Sequence, residues 1–275
     1  MKRSTDAGKT WSPLLKVYGE STPSHSVTIG NPSPIALHTH PGKIVLVACR
    51  ENREVLKVTS EDFGHTWSNA TYITEQATRK NWTWVATGPP QGLQLASGRL
   101  FIAADHYAGR SVAWGSHSLY SDDLGESWHL SSAINGDGGN ECQAARTANG
   151  SLLMNMRTRI GHRQFAWSED DGTTWSAPIT SPFYNSLNYA GGTCEGSSVS
   201  LPNGRLVFST PFSTHGRQNM SVFTSDDNGA SWQNNQQVYA GGSAYSALIA
   251  LNQTHVGLAF EKDGYRSINY RVLEL

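Results

Sequence analysis

The sequence predicts an all-β chain of radially arranged sheets, a β-propeller, from three observations. An octapeptide, S-x-D-x-G-x-[TS]-W, occurs five times. Short runs of alternating apolar and polar residues flank its copies. The composition suits turn-rich β-structure, with 27 Gly, 9 Trp and only 16% charged residues.

The copies run from Ser4 to Trp11, Ser60 to Trp67, Ser121 to Trp128, Ser168 to Trp175 and Ser225 to Trp232. At average residue usage a match arises about once per million starting positions, so five of them constitute a true repeat. Their separation, roughly 50 to 60 residues, is the length of one four-stranded sheet. Within each copy Asp-x-Gly predicts a tight turn, the carboxylate accepting backbone N–H groups and the glycine taking a positive φ. The tryptophan then packs back on the turn. Asp6, Asp62, Asp123, Asp170 and Asp227 are accordingly read as structural. The flanking runs, such as Arg163-Gln164-Phe165-Ala166-Trp167, alternate as half-buried strands do.

Charge and composition exclude several classes. Twenty-one Lys and Arg against 22 Asp and Glu leave a net charge of −1, unlike a nucleic-acid or anionic-membrane binder. No apolar run approaches the roughly 20 residues of a membrane helix. Cys49, Cys142 and Cys194 lack a CxxC pair and are expected as buried free thiols. Sequons at Asn69, Asn81, Asn149, Asn219 and Asn252 lean toward a lysosomal or secreted protein, without excluding a cytoplasmic or membrane-associated one. His38-Thr39-His40 precedes Pro41-Gly42 and reads as a turn, not a zinc site. Trp82-Thr83-Trp84 suits either a sugar-facing aromatic pair or core packing.

Between the repeats lie Gly30-Asn31-Pro32-Ser33-Pro34, Gly88-Pro89-Pro90-Gln91-Gly92, Asn140-Glu141-Cys142-Gln143 and Asn155-Met156-Arg157. Arg217-Gln218-Asn219, Gly242-Ser243-Ala244-Tyr245-Ser246 and Phe260-Glu261-Lys262 follow. In order and spacing these segments, together with the octapeptides (Asp-boxes, or BNR repeats), resemble the exo-α-sialidases (neuraminidases) over essentially the whole chain. The resemblance implies one six-bladed propeller domain spanning residues 1–275. It also implies removal of terminal sialic acid, with retention, from glycoproteins, glycolipids or oligosaccharides, and no metal or organic cofactor. By motif, Tyr245 matches the family's nucleophile and Glu141 the glutamate that partners it. Arg157 and Arg217 match two of three arginines that clamp the substrate carboxylate, and Glu261 the carboxylate that steadies the first arginine. In the family that first arginine and an acid/base Asp precede the first Asp-box. Only Met1-Lys2-Arg3 precedes it here, so the expectation is a chain without those two residues and without the segment completing the first blade. Its activity is accordingly expected to be impaired.

The chemistry fits these residue types. A sialoside carries a carboxylate on its anomeric carbon, so a neutral phenol attacks where a carboxylate nucleophile would be repelled. A phenol starts near pKa 10 and needs an adjacent base, here Glu141. Arginine binds a carboxylate through forked, charge-assisted bonds that lysine does not reproduce. Read without the resemblance, Tyr245 is a strand residue, Arg157 ends a strand-like run, and Glu141 follows Gly-Asp-Gly-Gly-Asn in a loop. A carbohydrate-binding propeller without catalysis is the alternative function; it would leave Tyr245 and Glu141 without a task.

Overall fold

A computed structural model describes residues 1–109, 114–134, 138–181 and 194–275. The first sheet holds β1 (Ile29–Ala36), β2 (Ile44–Arg50), β3 (Glu54–Ser60) and β4 (Thr71–Tyr72), followed by the single-turn α1 (Thr74–Ala77). The second holds β5 (Trp84–Thr87), β6 (Leu93–Gln94), β7 (Leu100–Tyr107), β8 (Trp114–Ser121) and β9 (His129–Leu130). The third holds β10 (Gly139–Arg146), β11 (Leu152–Thr158), β12 (Gln164–Ser168) and β13 (Ile179–Thr180). The last path comprises β14 (Ser197–Ser200), β15 (Leu206–Pro211), β16 (Gln218–Ser225), β17 (Gln233–Ala250), β18 (His255–Lys262) and β19 (Ser267–Glu274). All pairing is antiparallel, and β17 serves twice: its first half pairs with β16 and its second with β18. The all-β propeller arrangement is therefore as predicted.

The hydrophobic core lies between the sheets. Neighbouring residues along a strand point to opposite faces and so feed different layers. Leu100 and Ile102 of β7 join Val45 and Val47 of the first sheet, whereas Phe101 and Ala103 join Ala144 and Met154 of the third. Leu153 faces the other way, to Phe208 and Phe223. The three cysteines are buried free thiols.

Every octapeptide folds alike. In the fourth copy Ser168 Oγ donates to Asp170 Oδ1 (2.8 Å) and accepts the Gly172 amide (2.9 Å). Asp170 then accepts the Thr174 amide (2.8 Å) and hydroxyl (2.6 Å). Asp6, Asp62, Asp123 and Asp227 repeat the set. Donation by Thr10 holds the Asp6 carboxyl down at about 2. These aspartates are turn formers. The glycines have φ between +78° and +92°, and the residue before each is left-handed too. A Cβ on Gly172 would lie 2.4 Å from the Phe101 ring on the adjoining sheet. Gly172→Ala is thus expected to cost about 2–4 kcal/mol, strain and overpacking together. Gly98→Ala, at φ +92° with nothing within 4 Å, is the control and costs only the backbone strain. Urea midpoints of the two variants measure the difference.

The opposite ends of the sheets are irregular. β1, β10 and β17 each carry a register shift, between Gly30 and Ser33, Gly139 and Cys142, and Ser243 and Ser246. Below these bulges a closed belt of hydrogen bonds joins the sheets. Gln91 Nε2 donates to Leu248 O (2.6 Å), and Leu248 N to Ser197 Oγ (2.9 Å). Ser197 Oγ donates to Gln143 Oε1 (3.0 Å), and Gln143 Nε2 returns to Gln91 O (3.3 Å). The N–H and C=O of Leu248 are both satisfied in this way.

A cleft of about 910 Å³ separates the first sheet from the last. Its walls are mainly apolar, from Leu14, Leu15, Pro34 and Leu46 to Phe260 and Ile268, and its inner end reaches Glu195, Tyr245 and Glu261. The first octapeptide lies beside β19, with Trp11 edge-on to Tyr270 at 5.5 Å.

His38 to His40 form a turn, as predicted, with His40 N bonded to Leu37 O (3.3 Å). Trp82 stacks on His106 at 4.0 Å and Trp84 packs edge-on to Trp114 at 6.1 Å, both rings half-buried. Four sequon asparagines are exposed, whereas Asn219 donates its amide to Phe212 O (2.7 Å). Among the described residues no helix is long and apolar enough to cross a membrane.

Candidate active site

The bulged ends bring the five site residues together. Glu141 lies in the bulge of β10 and not in a loop, because Gly139 and Asn140 already belong to the strand. Arg157, on β11, stands across the ladder from that bulge. A bulge re-aims its extra residue, and here it turns the Glu141 carboxylate onto the guanidinium. Arg157 Nη1 donates to Glu141 Oε2 at 2.5 Å and to Tyr245 Oη at 3.2 Å. Tyr245, in the bulge of β17, donates its hydroxyl to Glu141 Oε1. One carboxylate thus accepts a phenol on one oxygen and a guanidinium on the other. Glu141 is only 8% exposed, so these bonds are not exchanged freely with water.

Arg217 precedes β16, and its Cζ stands 5.4 Å from the centre of the Tyr245 ring. Its Nη1 donates to Tyr265 Oη (2.9 Å) at the tip of the β18–β19 hairpin. Glu261, near the end of β18, accepts the backbone amide of Tyr245 through Oε2 at 3.0 Å. It therefore grips the tyrosine's main chain.

Burial, and then the Glu141 charge, push the Tyr245 phenol above its ordinary value. The resting group is a neutral phenol hydrogen-bonded to a carboxylate. Burial disfavours the Arg157 charge, but the adjacent Glu141 more than offsets it and raises the guanidinium pKa. The arrangement can pass the phenol proton to Glu141 while keeping the Arg157 cation beside the oxygen and Arg217 over the ring. Among the described residues no cluster of three His, Cys, Asp or Glu could hold a metal ion.

Two carboxyls escaped the sequence reading. Asp105 on β7 is completely buried; Asn140 Nδ2 donates to its Oδ2 at 3.3 Å, and its Oδ1 has no hydrogen-bond partner among the described residues. Burial, with Glu141 close by, raises its pKa well above the usual range. A signal existed, since an aspartate inside the apolar run from Leu100 to Ala104 and beyond is itself unusual. Glu195, 1% exposed, lies beside Ser246 and carried no such signal.

A family profile described as "BNR repeat-like domain" matches residues 1–258. A sialidase of Bacteroides fragilis (strain YCH46) is 27% identical over 296 aligned residues, covering 95% of this chain and 53% of that protein. Sialidase-4 of Mus musculus is 37% identical over 154 residues, 51% of this chain and 32% of its own length. The chain thus spans about half the length, or less, of these relatives. Among solved structures, "Hadza microbial sialidase Hz136" superposes on 100% of the chain and 58% of its own, with TM-score 0.85 and 24% identity. An intramolecular trans-sialidase from Ruminococcus gnavus superposes on 100% of the chain and 87% of its own, with TM-score 0.78 and 16% identity. The propeller fold is shared with both. With most of its length matched, the chain belongs to the BNR repeat-like domain family and has sialidases as its relatives.

Proposed function

We propose that this chain carries the site of a retaining exo-α-sialidase, a glycoside hydrolase releasing terminal sialic acid from glycoproteins, glycolipids or oligosaccharides. The observation that carries the reading is the Glu141 carboxylate, which takes the Tyr245 hydroxyl on one oxygen and Arg157 on the other. In this reading Tyr245 attacks the anomeric carbon as the bond to the aglycone oxygen breaks, and Glu141 accepts the phenol proton; water then cleaves the sialyl–tyrosine bond and the phenol recovers its proton, so no anion approaches the substrate carboxylate. Arg157 and Arg217 hold that carboxylate, and Glu261, the counterpart of the carboxylate that steadies the family's first arginine, holds the tyrosine backbone. A further clamp arginine and an acid/base Asp complete the family's site. The exposed sequons favour a lysosomal or secreted setting.

The test is hydrolysis of a fluorogenic aryl sialoside, whose phenolic leaving group needs little acid assistance. Slow turnover is expected, falling a further 10²- to 10⁴-fold, as an order of magnitude, in Glu141→Ala. Binding of sialic acid without turnover, lost in Arg157→Ala, would instead identify a carbohydrate-binding propeller. Absence of both turnover and binding would overturn the reading for this chain.

A further inference from the structure

The amide groups around Tyr245 need partners that the sheet does not supply. Between Ser243 and Ser246 the ladder with β18 slips, leaving Ala244 and Tyr245 out of register. Two carboxyls from different segments of the chain take up the amides of Tyr245 and Ser246. Glu261 Oε2 accepts the Tyr245 N–H at 3.0 Å, from β18. Glu195 Oε2 accepts the Ser246 N–H at 2.8 Å, from the segment just before β14. Successive amides of an extended chain point to opposite sides, so the two carboxyls grip β17 from both edges. Ser197 continues the grip two residues on, at Leu248 N.

Glu195 is an expensive residue to use this way. It is 1% exposed, and its second oxygen, Oε1, has no partner among the described residues. A buried polar atom without a partner costs about 1–3 kcal/mol, and a buried unpaired charge costs more. The groups facing it are Glu141, Glu261 and Arg163, with the Ser246 amide the nearest donor. Burial first, and then the two carboxylates, hold its pKa well above the usual range. A serine would satisfy one N–H at lower cost. What the carboxyl length adds is reach, from the neighbouring sheet to the backbone beside the phenol.

We infer that Glu195 is a positioning residue for Tyr245, holding the Ser246 amide so that the bulge presents the phenol to Glu141. Glu195 touches neither substrate nor the phenol; its effect passes through the main chain. The bond needs only an acceptor oxygen, so glutamine, which keeps one, can replace it. Leucine keeps the bulk and loses the bond.

Two measurements on the full chain decide the matter. Amide hydrogen exchange across β17 asks about the bond itself and needs no activity. In Glu195→Leu the Ser246 amide is expected to exchange at least about tenfold faster, with the amides of β7 and β8 unchanged as a control for folding. Glu195→Gln restores protection. The kinetic arm, which rests on the sialidase reading, uses the aryl sialoside. Displacing the phenol by a fraction of an ångström is expected to lower kcat roughly 10- to 100-fold in Glu195→Leu, with KM little changed. Glu195→Gln recovers kcat with a pH–rate profile that overlays that of the parent chain. Unchanged Ser246 exchange in Glu195→Leu overturns the inference. So does a Glu195→Gln profile that has lost a limb, which would make Glu195 a titrating catalytic group. Should the parent chain turn over no sialoside, the exchange arm alone decides for Glu195, and the failure belongs to the sialidase reading.

Discussion

Tyr245→Phe is expected to lower kcat/KM for an aryl sialoside by about 10³-fold or more, while binding of free sialic acid largely survives. The asymmetry follows from what the substitution removes. The ring keeps its place under Arg217, whose Cζ stands 5.4 Å from its centre, and the backbone keeps its bond to Glu261. Only the hydroxyl goes, and with it the bonds to Glu141 and Arg157. On the proposed reading that oxygen forms the covalent bond to the anomeric carbon, so its loss acts on the chemical step and not on the clamp. Mass spectrometry after reaction with a slow, fluorinated sialoside supplies an independent readout. The parent chain should gain one sialyl unit on Tyr245 and the variant none. Activity within about tenfold of the parent in Tyr245→Phe would remove Tyr245 from the nucleophile's role.

Arg157→Lys is expected to weaken sialic acid binding and to slow turnover together. A charge-assisted hydrogen bond contributes about 1.5–3 kcal/mol, and each 1.4 kcal/mol is tenfold, so the affinity loss is roughly 10- to 100-fold. Arg157 already directs Nη1 to Glu141 (2.5 Å) and to Tyr245 (3.2 Å). A planar guanidinium holds these partners and still offers a second edge to a carboxylate. An ammonium is a point charge that must choose among them. Titration with free sialic acid by calorimetry reads the binding loss, and the aryl sialoside reads the rest. Equal affinity in the lysine variant would mean that a forked contact plays no part.

How much of this was legible in the sequence depends on how local the cause is. The five octapeptide turns were fully legible, because the serine, aspartate and glycine of each turn bond to one another within a few residues. Tyr245, Glu141, Arg157, Arg217 and Glu261 were found through the motifs around them. Their convergence was not legible, since it depends on strand register. Glu141 shows why: the glycines ahead of it suggested a loop, whereas Gly139 and Asn140 open a strand whose bulge aims the carboxylate. The belt from Gln91 through Leu248, Ser197 and Gln143 joins residues as much as 157 positions apart, and no local pattern encodes it. Asp105 left a trace, as an acid in an apolar strand, whereas Glu195 left none.

The two ends of these sheets are specified by separate stretches of sequence. The second to fifth octapeptides open where a strand ends, at Ser60, Ser121, Ser168 and Ser225. The bulges of β1, β10 and β17 lie at the other end of the same ladders. Mutations that tune folding and mutations that tune chemistry therefore fall on opposite rims, too far apart to couple strongly. Such a scaffold is unusually open to divergence. Descendants can exchange the side chains on the bulged rim, and so the ligand they recognise, while inheriting an untouched set of turns that keeps them folded.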